Sequence, residues 1–327
     1  LRNSIIGGVI LFKHNYLNKK QIMKLINDIK KINSNILISV DHEGGRVQRF
    51  QKEFTKLPSF QSIGRLYLDS KKSAEDLAYS CGYVAGYELK SIGIDINFSP
   101  VVDLSFTSEV LSERTFSSKP QTVINLASKY IKGLIKNGII PVIKHYPGHG
   151  LVASDTHTEI SSSNSSLKEI DNHMSVFRYI INDFNIPIMT SHIQFTNIDS
   201  NPVTTSPKWL KITSKNDFKN KIFFISDDLE MSGISKYYSN LSKVEILKKA
   251  LDSGCSMVIV TTMQAKTLVN EKNSYLFYQN EYFDNIKASD LQENYINLPC
   301  FENIIYNKGS MDLYKNALSN VIKHRDS

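Results

Sequence analysis

Seven short apolar or β-branched runs recur along this chain, each separated from the next by enough residues for a helix. They are Gly8–Phe12, Ile36–Val40, Ile94–Phe98, Ile139–Ile143, Ile186–Met189, Ile222–Ile225 and Met257–Val260. Between them, Lys19–Ile32, Ser73–Ser91, Gln121–Asn137, Leu167–Phe184 and Lys243–Ser253 carry apolar residues at helical spacing. Runs that are apolar throughout, rather than alternating, belong to strands buried on both faces. Alternation with helices makes the sheet parallel.

Polar groups gather just beyond the predicted strand ends: Asp41, Lys144-His145, Ser191-His192 and Asp227. In a (β/α)₈ TIM-type barrel that rim collects the catalytic groups. A doubly wound sheet places its site similarly but announces a glycine-rich phosphate loop after the first strand, and neither common form of that loop occurs here. The expectation is α/β, of the TIM-barrel type, with seven strands counted where eight complete a barrel. Residues 1–327 are expected to form a single catalytic domain, its barrel core over about 5–262 and C-terminal helices and loops over 263–327.

Composition narrows the function classes. Lysine and arginine total 39 against 32 acids, a net charge of +7. The lysines are scattered among asparagine and isoleucine rather than gathered in a patch, which argues for biased composition over a nucleic-acid surface. No stretch approaches the ~20 apolar residues that span a bilayer. Cys81, Cys255 and Cys300 lack metal-ligand spacing and read as buried free thiols in a reducing compartment.

The densest chemistry lies in Lys144-His145-Tyr146-Pro147-Gly148-His149-Gly150, followed by Asp155-Thr156-His157. An Asp two residues from a His can orient the ring and raise its basicity, as a general acid/base near neutral pH requires. Asp227 follows the predicted strand 221–226, where a carboxylate could be a nucleophile, a base, a metal ligand, or only the cap of the next helix. Its neighbour Asp228 competes for that capping role. Asp41 is placed to accept sugar hydroxyls, with Arg46 or Arg49 anchoring the loop or the ligand. Arg46 reads rather as an internal salt bridge, Asp103 as structural, and Arg114 as facing a pocket. His145 and His149, with Asp155 and His157, also resemble a metal set, but His-x₃-His falls here on a Pro/Gly loop that need not put both rings on one face. A metal-dependent barrel hydrolase using His145, His149 and Asp227 is a competing reading.

These residues in this order resemble the family 3 glycoside hydrolases, and within them the single-domain bacterial β-N-acetylglucosaminidases of peptidoglycan recycling. The similar segments are GGVILFKHN from Gly7, SVDHEGGRVQRF from Ser39, NFSPVVDL from Asn97, ERTFSS from Glu113, KHYPGHG from Lys144, DTH from Asp155 and SDDLEM from Ser226. NKGSMDLY in the tail is a weaker match. The resemblance implies that Asp227 is the nucleophile of a retaining mechanism and His157, polarised by Asp155, the acid/base. Asp41, Arg49, Arg114, Lys144 and His145 would bind N-acetylglucosamine. The implied substrate is N-acetylglucosamine β-1,4-linked to 1,6-anhydro-N-acetylmuramic acid, with or without peptide, cleaved in the cytoplasm by a monomer that needs no cofactor, metal, nucleic acid or membrane.

Family members carry a further N-terminal segment with the first barrel strand, so this chain is expected to lack that strand, in keeping with the count of seven. The alternatives are a phosphorylase of the same family and, from a different class, a degraded, non-catalytic barrel kept as a binding or structural protein. In retaining enzymes the two catalytic groups stand ~5–5.5 Å apart; His157, on a glycine-flanked loop, is expected farther than that from Asp227 without ligand.

Overall fold

The computed structural model describes residues 1, 6–104, 111–152, 161–216, 222–261 and 308–325. The chain divides into two compact units. The first holds Leu1–Val102, Ser112–Val142 and Ala288–Ser327, and the second Asp103–Leu111 and Ile143–Lys287.

The first unit is built on a parallel sheet of β1 (Gly8–Leu11), β2 (Leu37–Val40), β5 (Ile96–Asn97) and β6 (Ile140–Pro141), in the order β1-β2-β5-β6. Its register pairs Leu11 with Val40, Val40 with Asn97, and Asn97 with Pro141. Between β2 and β5 the chain forms a short antiparallel ribbon, β3 (His42–Gly44) with β4 (Val47–Gln48). Helices α1 (Lys19–Ile32), α2 (Phe60–Asp69), α3 (Lys71–Ser91), α4 (Pro120–Ile135) and a C-terminal α9 (Lys308–Arg325) complete this unit.

Local chemistry explains where these helices begin. Asn18 caps α1 by accepting the Gln21 N–H, and Ile22, Ile26 and Ile29 form its buried stripe. Helix α2 was not expected from the pattern. It is short and contains Gly64, yet Ser59 caps it, and Phe60, Ile63, Gly64 and Tyr67 give it an i, i+3, i+4, i+7 buried face. Helices α3 and α4 pack closely because both carry glycine at the contact. A Cβ on Gly82 would lie 2.0 Å from the Tyr130 carbonyl oxygen, and one on Gly133 2.4 Å from the Tyr83 nitrogen.

The second unit has a parallel three-stranded sheet in the order β7-β9-β11, from β7 (Ile143–Tyr146), β9 (Ile188–Thr190) and β11 (Phe224–Ser226). A two-residue pair, β8 (Ser162–Ser163) with β10 (Gln194–Phe195), is also parallel. Helices α5 (Leu167–Phe184), α6 (Pro207–Asn216), α7 (Ser232–Tyr237) and α8 (Lys243–Ser253) belong here. Ser166 with Glu169, and Ser242 with Glu245, form reciprocal capping boxes, which is why the predicted starts of α5 and α8 match the observed ones. Tyr146 on β7 is the aromatic hub of this core. Phe177 of α5 meets it edge-on at 5.4 Å, Phe224 of β11 lies at 5.8 Å and Trp209 of α6 at 6.5 Å between ring centroids.

Two strand predictions change in detail. The run Ile139–Ile143, read as one strand, is divided: Ile140–Pro141 pair with β5, whereas Ile143–Tyr146 pair with β9. Lys144 and His145 therefore lie within β7, not beyond a strand end. The run at Met257–Val260 contributes a single parallel bridge, Met257 to Ile225, because its next ladder position is taken by the Ser226 hydroxyl, which accepts the Ile259 N–H at 2.9 Å.

Cys81 and Cys255 are buried free thiols, and burial pushes the Cys255 thiol up to about 12; Cys300 lies outside the described residues. Among the described residues no helix is long and apolar enough to cross a membrane.

The α3–α4 contact yields a stability prediction. Gly82→Ala and Gly133→Ala each force two backbones apart, so each should cost about 1–3 kcal/mol in urea denaturation. An exposed control such as Lys72→Ala should change stability by less than about 0.5 kcal/mol.

Candidate functional site

In the second unit the parallel register brings the strand ends level. Thr190 of β9 pairs with Tyr146 on one side and Ser226 on the other, so the residues that follow, Ser191-His192 and Asp227, emerge at the same end of the sheet. Lys144 and His145 precede that end on β7, and both are buried.

Asp227 and its neighbour Asp228 are put to different uses. Asp228 accepts the Glu230 N–H through Oδ1 at 3.0 Å, which shapes the turn after β11, and the Thr261 hydroxyl through Oδ2, which ties that turn to a residue 33 positions further on. Asp227 accepts only the Asp228 N–H, through Oδ1 at 2.8 Å, and among the described residues Oδ2 has no hydrogen-bond partner. Neither acid caps the following helix, whose N-cap is Met231. Burial raises the Asp228 carboxyl above the usual carboxylate range, against the Thr261 hydrogen bond.

His192 lies between these elements with both ring nitrogens engaged. Nδ1 meets the Thr204 hydroxyl at 2.9 Å and Nε2 the Asp228 carbonyl oxygen at 3.1 Å. Burial lowers its pKa, opposed by the charge of Asp227.

Asp103, read from sequence as structural, lies at the centre of the KHYPGHG segment. Its Oδ2 accepts the His145 N–H at 3.1 Å and faces His145 Nδ1 at 2.9 Å, while Oδ1 accepts the His149 N–H at 2.6 Å. Burial alone would raise the Asp103 carboxyl, but the hydrogen bond and charge of His145, and then His149, outweigh it and hold it below the usual range. Burial followed by the charge of His145 pushes His149 down to about 4, despite the opposing charges of Asp103 and Asp227. A further residue without a sequence signal is His173 of α5, whose Cε1 comes within 3.5 Å of a Cβ built on Gly150.

The first unit holds the other residues singled out from sequence. Asp41 follows β2 and pairs with Arg49 at 3.2 Å. Arg114 makes a bidentate pair with Glu43, Nε to Oε2 at 2.9 Å and an Nη to Oε1 at 2.8 Å, with the Glu43 side chain almost fully buried. Asn97, at the end of β5, accepts the His42 N–H at 3.0 Å and donates to the His42 carbonyl at 2.9 Å, which fixes the backbone of the DHEGG turn. The His42 ring is fully buried against Phe50 and Phe54 with no hydrogen bond at either nitrogen, and burial pushes its pKa down to about 3. Asp155 and His157 lie outside the described residues. Among the described residues, no group of three or more His, Cys, Asp or Glu side chains is arranged to hold a metal ion.

Residues 1–292 match the model of the glycosyl hydrolase family 3 N terminal domain. A protein of Nitrosospira multiformis named beta-hexosaminidase is 36% identical over 263 residues, covering 80% of this chain and 74% of its own length. A beta-hexosaminidase of Nitrosomonas eutropha is 37% identical over 263 residues, covering 80% of this chain and 75% of its own. The crystal structure of NagZ from Neisseria gonorrhoeae in complex with N-trifluoroacetyl-D-glucosamine superposes with a TM-score of 0.82 at 30% identity, over 96% of this chain and 90% of that one. The fold is of the TIM-barrel type.

Two predictions arise from the first unit. Arg114→Ala strands the buried Glu43 carboxylate and should cost about 3–5 kcal/mol, measured by chemical denaturation. His42 is neutral when folded, whereas the unfolded chain takes up a proton near 6.5. The stability it contributes is present above pH 6.5 and is lost as pH falls from there toward 3. His42→Leu should therefore make the acid limb of stability against pH shallower than in the wild type.

Proposed function

This chain belongs to glycosyl hydrolase family 3 and is a glycoside hydrolase, and we propose that it is a retaining exo-β-N-acetylglucosaminidase acting on cell-wall fragments. The observation that carries this reading is the division of labour between two adjacent acids. Both Asp228 oxygens are engaged, one by the turn and one by the Thr261 hydroxyl, whereas Asp227, at the end of β11, keeps Oδ2 uncommitted among the described residues. An available carboxylate oxygen on a strand end is what a glycosidase nucleophile requires. The beta-hexosaminidase relatives support N-acetylglucosamine as the sugar removed.

In this reading Asp227 attacks the anomeric carbon as the leaving alcohol takes a proton from His157, giving a covalent glycosyl-enzyme. Water then attacks the same carbon, His157 takes its proton, and Asp227 leaves with the anomeric configuration restored. Asp155 orients and polarises His157. Asp41, Arg49, Arg114, Lys144 and His145 bind the sugar. The aglycone is 1,6-anhydro-N-acetylmuramic acid, with or without its peptide stem, and the enzyme works as a cytoplasmic monomer. The single family match over residues 1–292 supports one catalytic domain rather than two.

The test is hydrolysis of an aryl β-N-acetylglucosaminide beside the matching β-glucoside. The wild type should cleave the first and not the second. Asp227→Ala should abolish turnover. His157→Ala should lower kcat/KM by about 10²–10⁴-fold, with a smaller effect on glycosylation by substrates that have a good leaving group. Wild-type rates from Asp227→Ala would remove it as the nucleophile.

A further inference from the structure

Three donors converge on one buried side chain, Asp103. The His145 N–H and the His145 ring meet Oδ2, and the His149 N–H meets Oδ1. Two of these donors are backbone groups that cannot reverse their role. An asparagine in the same place would turn an NH₂ group against one of them whichever way its amide faced. Only an ionised carboxylate satisfies both ends, and Asp103 is buried and held ionised where it lies. Since that carboxylate can only accept, the proton of the 2.9 Å contact belongs to His145 Nδ1.

We propose that Asp103 is a positioning residue: it fixes His145 with its proton on Nδ1, leaving Nε2 as the ring's group for substrate, and ties the His149 end of the KHYPGHG segment to the same carboxylate. The proposal rests on the reading of His145 as a sugar-binding residue. It adds that the acid controlling His145 comes from the NFSPVVDL segment, 42 residues upstream in the chain. A carboxylate that holds a histidine in one tautomer can matter as much as the histidine itself, because the wrong tautomer offers a donor where an acceptor is needed.

The test combines ¹⁵N-resolved NMR of the histidine rings with kinetics on an aryl β-N-acetylglucosaminide, in the full chain and in Asp103→Asn. In the wild type, His145 Nδ1 should carry a proton with a strongly downfield resonance. In Asp103→Asn that resonance should move upfield or vanish, and kcat/KM should fall by about ten- to hundredfold at a temperature where both proteins are folded. A wild-type His145 without a proton on Nδ1 overturns the proposal, even if the variant does not fold. So does a folded variant with wild-type kcat/KM. A folded variant that loses activity with the resonance unmoved also overturns it, because Asp103 then acts on the loop alone. A wild type inactive toward the substrate counts against the glycosidase reading, whereas the NMR result judges the Asp103–His145 pair separately.

Discussion

Hydrogen bonding between very short parallel strands is the constraint on which the rest depends. None of the described strands exceeds four residues, and several have only two. Such segments cannot satisfy their own backbone groups, so each is specified by its neighbours and by the helix that returns the chain to the next strand. Parallel pairing also brings every strand end within a sheet to the same side. That is why Ser191-His192 and Asp227, distant in sequence, leave β9 and β11 together.

Beyond the ladders, three buried polar side chains do much of the positioning through the partners they find. Asn97 closes both sides of the His42 peptide. Glu88 receives the Thr55 N–H and hydroxyl and the Tyr314 hydroxyl, joining the loop after β4 to α3 and α9. Glu43 takes the Arg114 fork. An uncompensated charge at any of these places would cost several times the net worth of an ordinary hydrogen bond. The His42 ring is accommodated differently, as an apolar body beside two phenylalanines at the expense of its basicity.

Much of the fold was legible in the sequence because two periodicities and a few caps determine it locally. The starts of α5 and α8 follow from Ser-x-x-Glu boxes, and the extent of α1 from its isoleucine stripe. Helix α2 escaped because Gly64 weakens the local signal, while its buried face makes sense only once Phe116 is packed against it. The candidate site residues were visible as types in a row, and the resemblance set Asp227 apart from Asp228, but the hydrogen bonds that engage both Asp228 oxygens were not visible. Asp103 reads from sequence as scaffolding, because its partners His145 and His149 lie more than 40 residues away.

The sequence by itself determined the alternation of strand and helix, the family, and the set of polar residues that gather at strand ends. Those depend on local spacing and residue type. Only the tertiary structure decided that the run at Ile139–Ile143 serves two different ladders. It also decided that both Asp228 oxygens are engaged while Asp227 Oδ2 has no hydrogen-bond partner among the described residues, and that Asp103 lies against His145. The physical reason is common to all three. A hydrogen bond between residues 33 or 42 positions apart, such as Ile259 to Ser226 or His145 to Asp103, is chosen by which groups are brought within 3 Å of one another. That choice depends on the packing of the whole unit rather than on any stretch of chain.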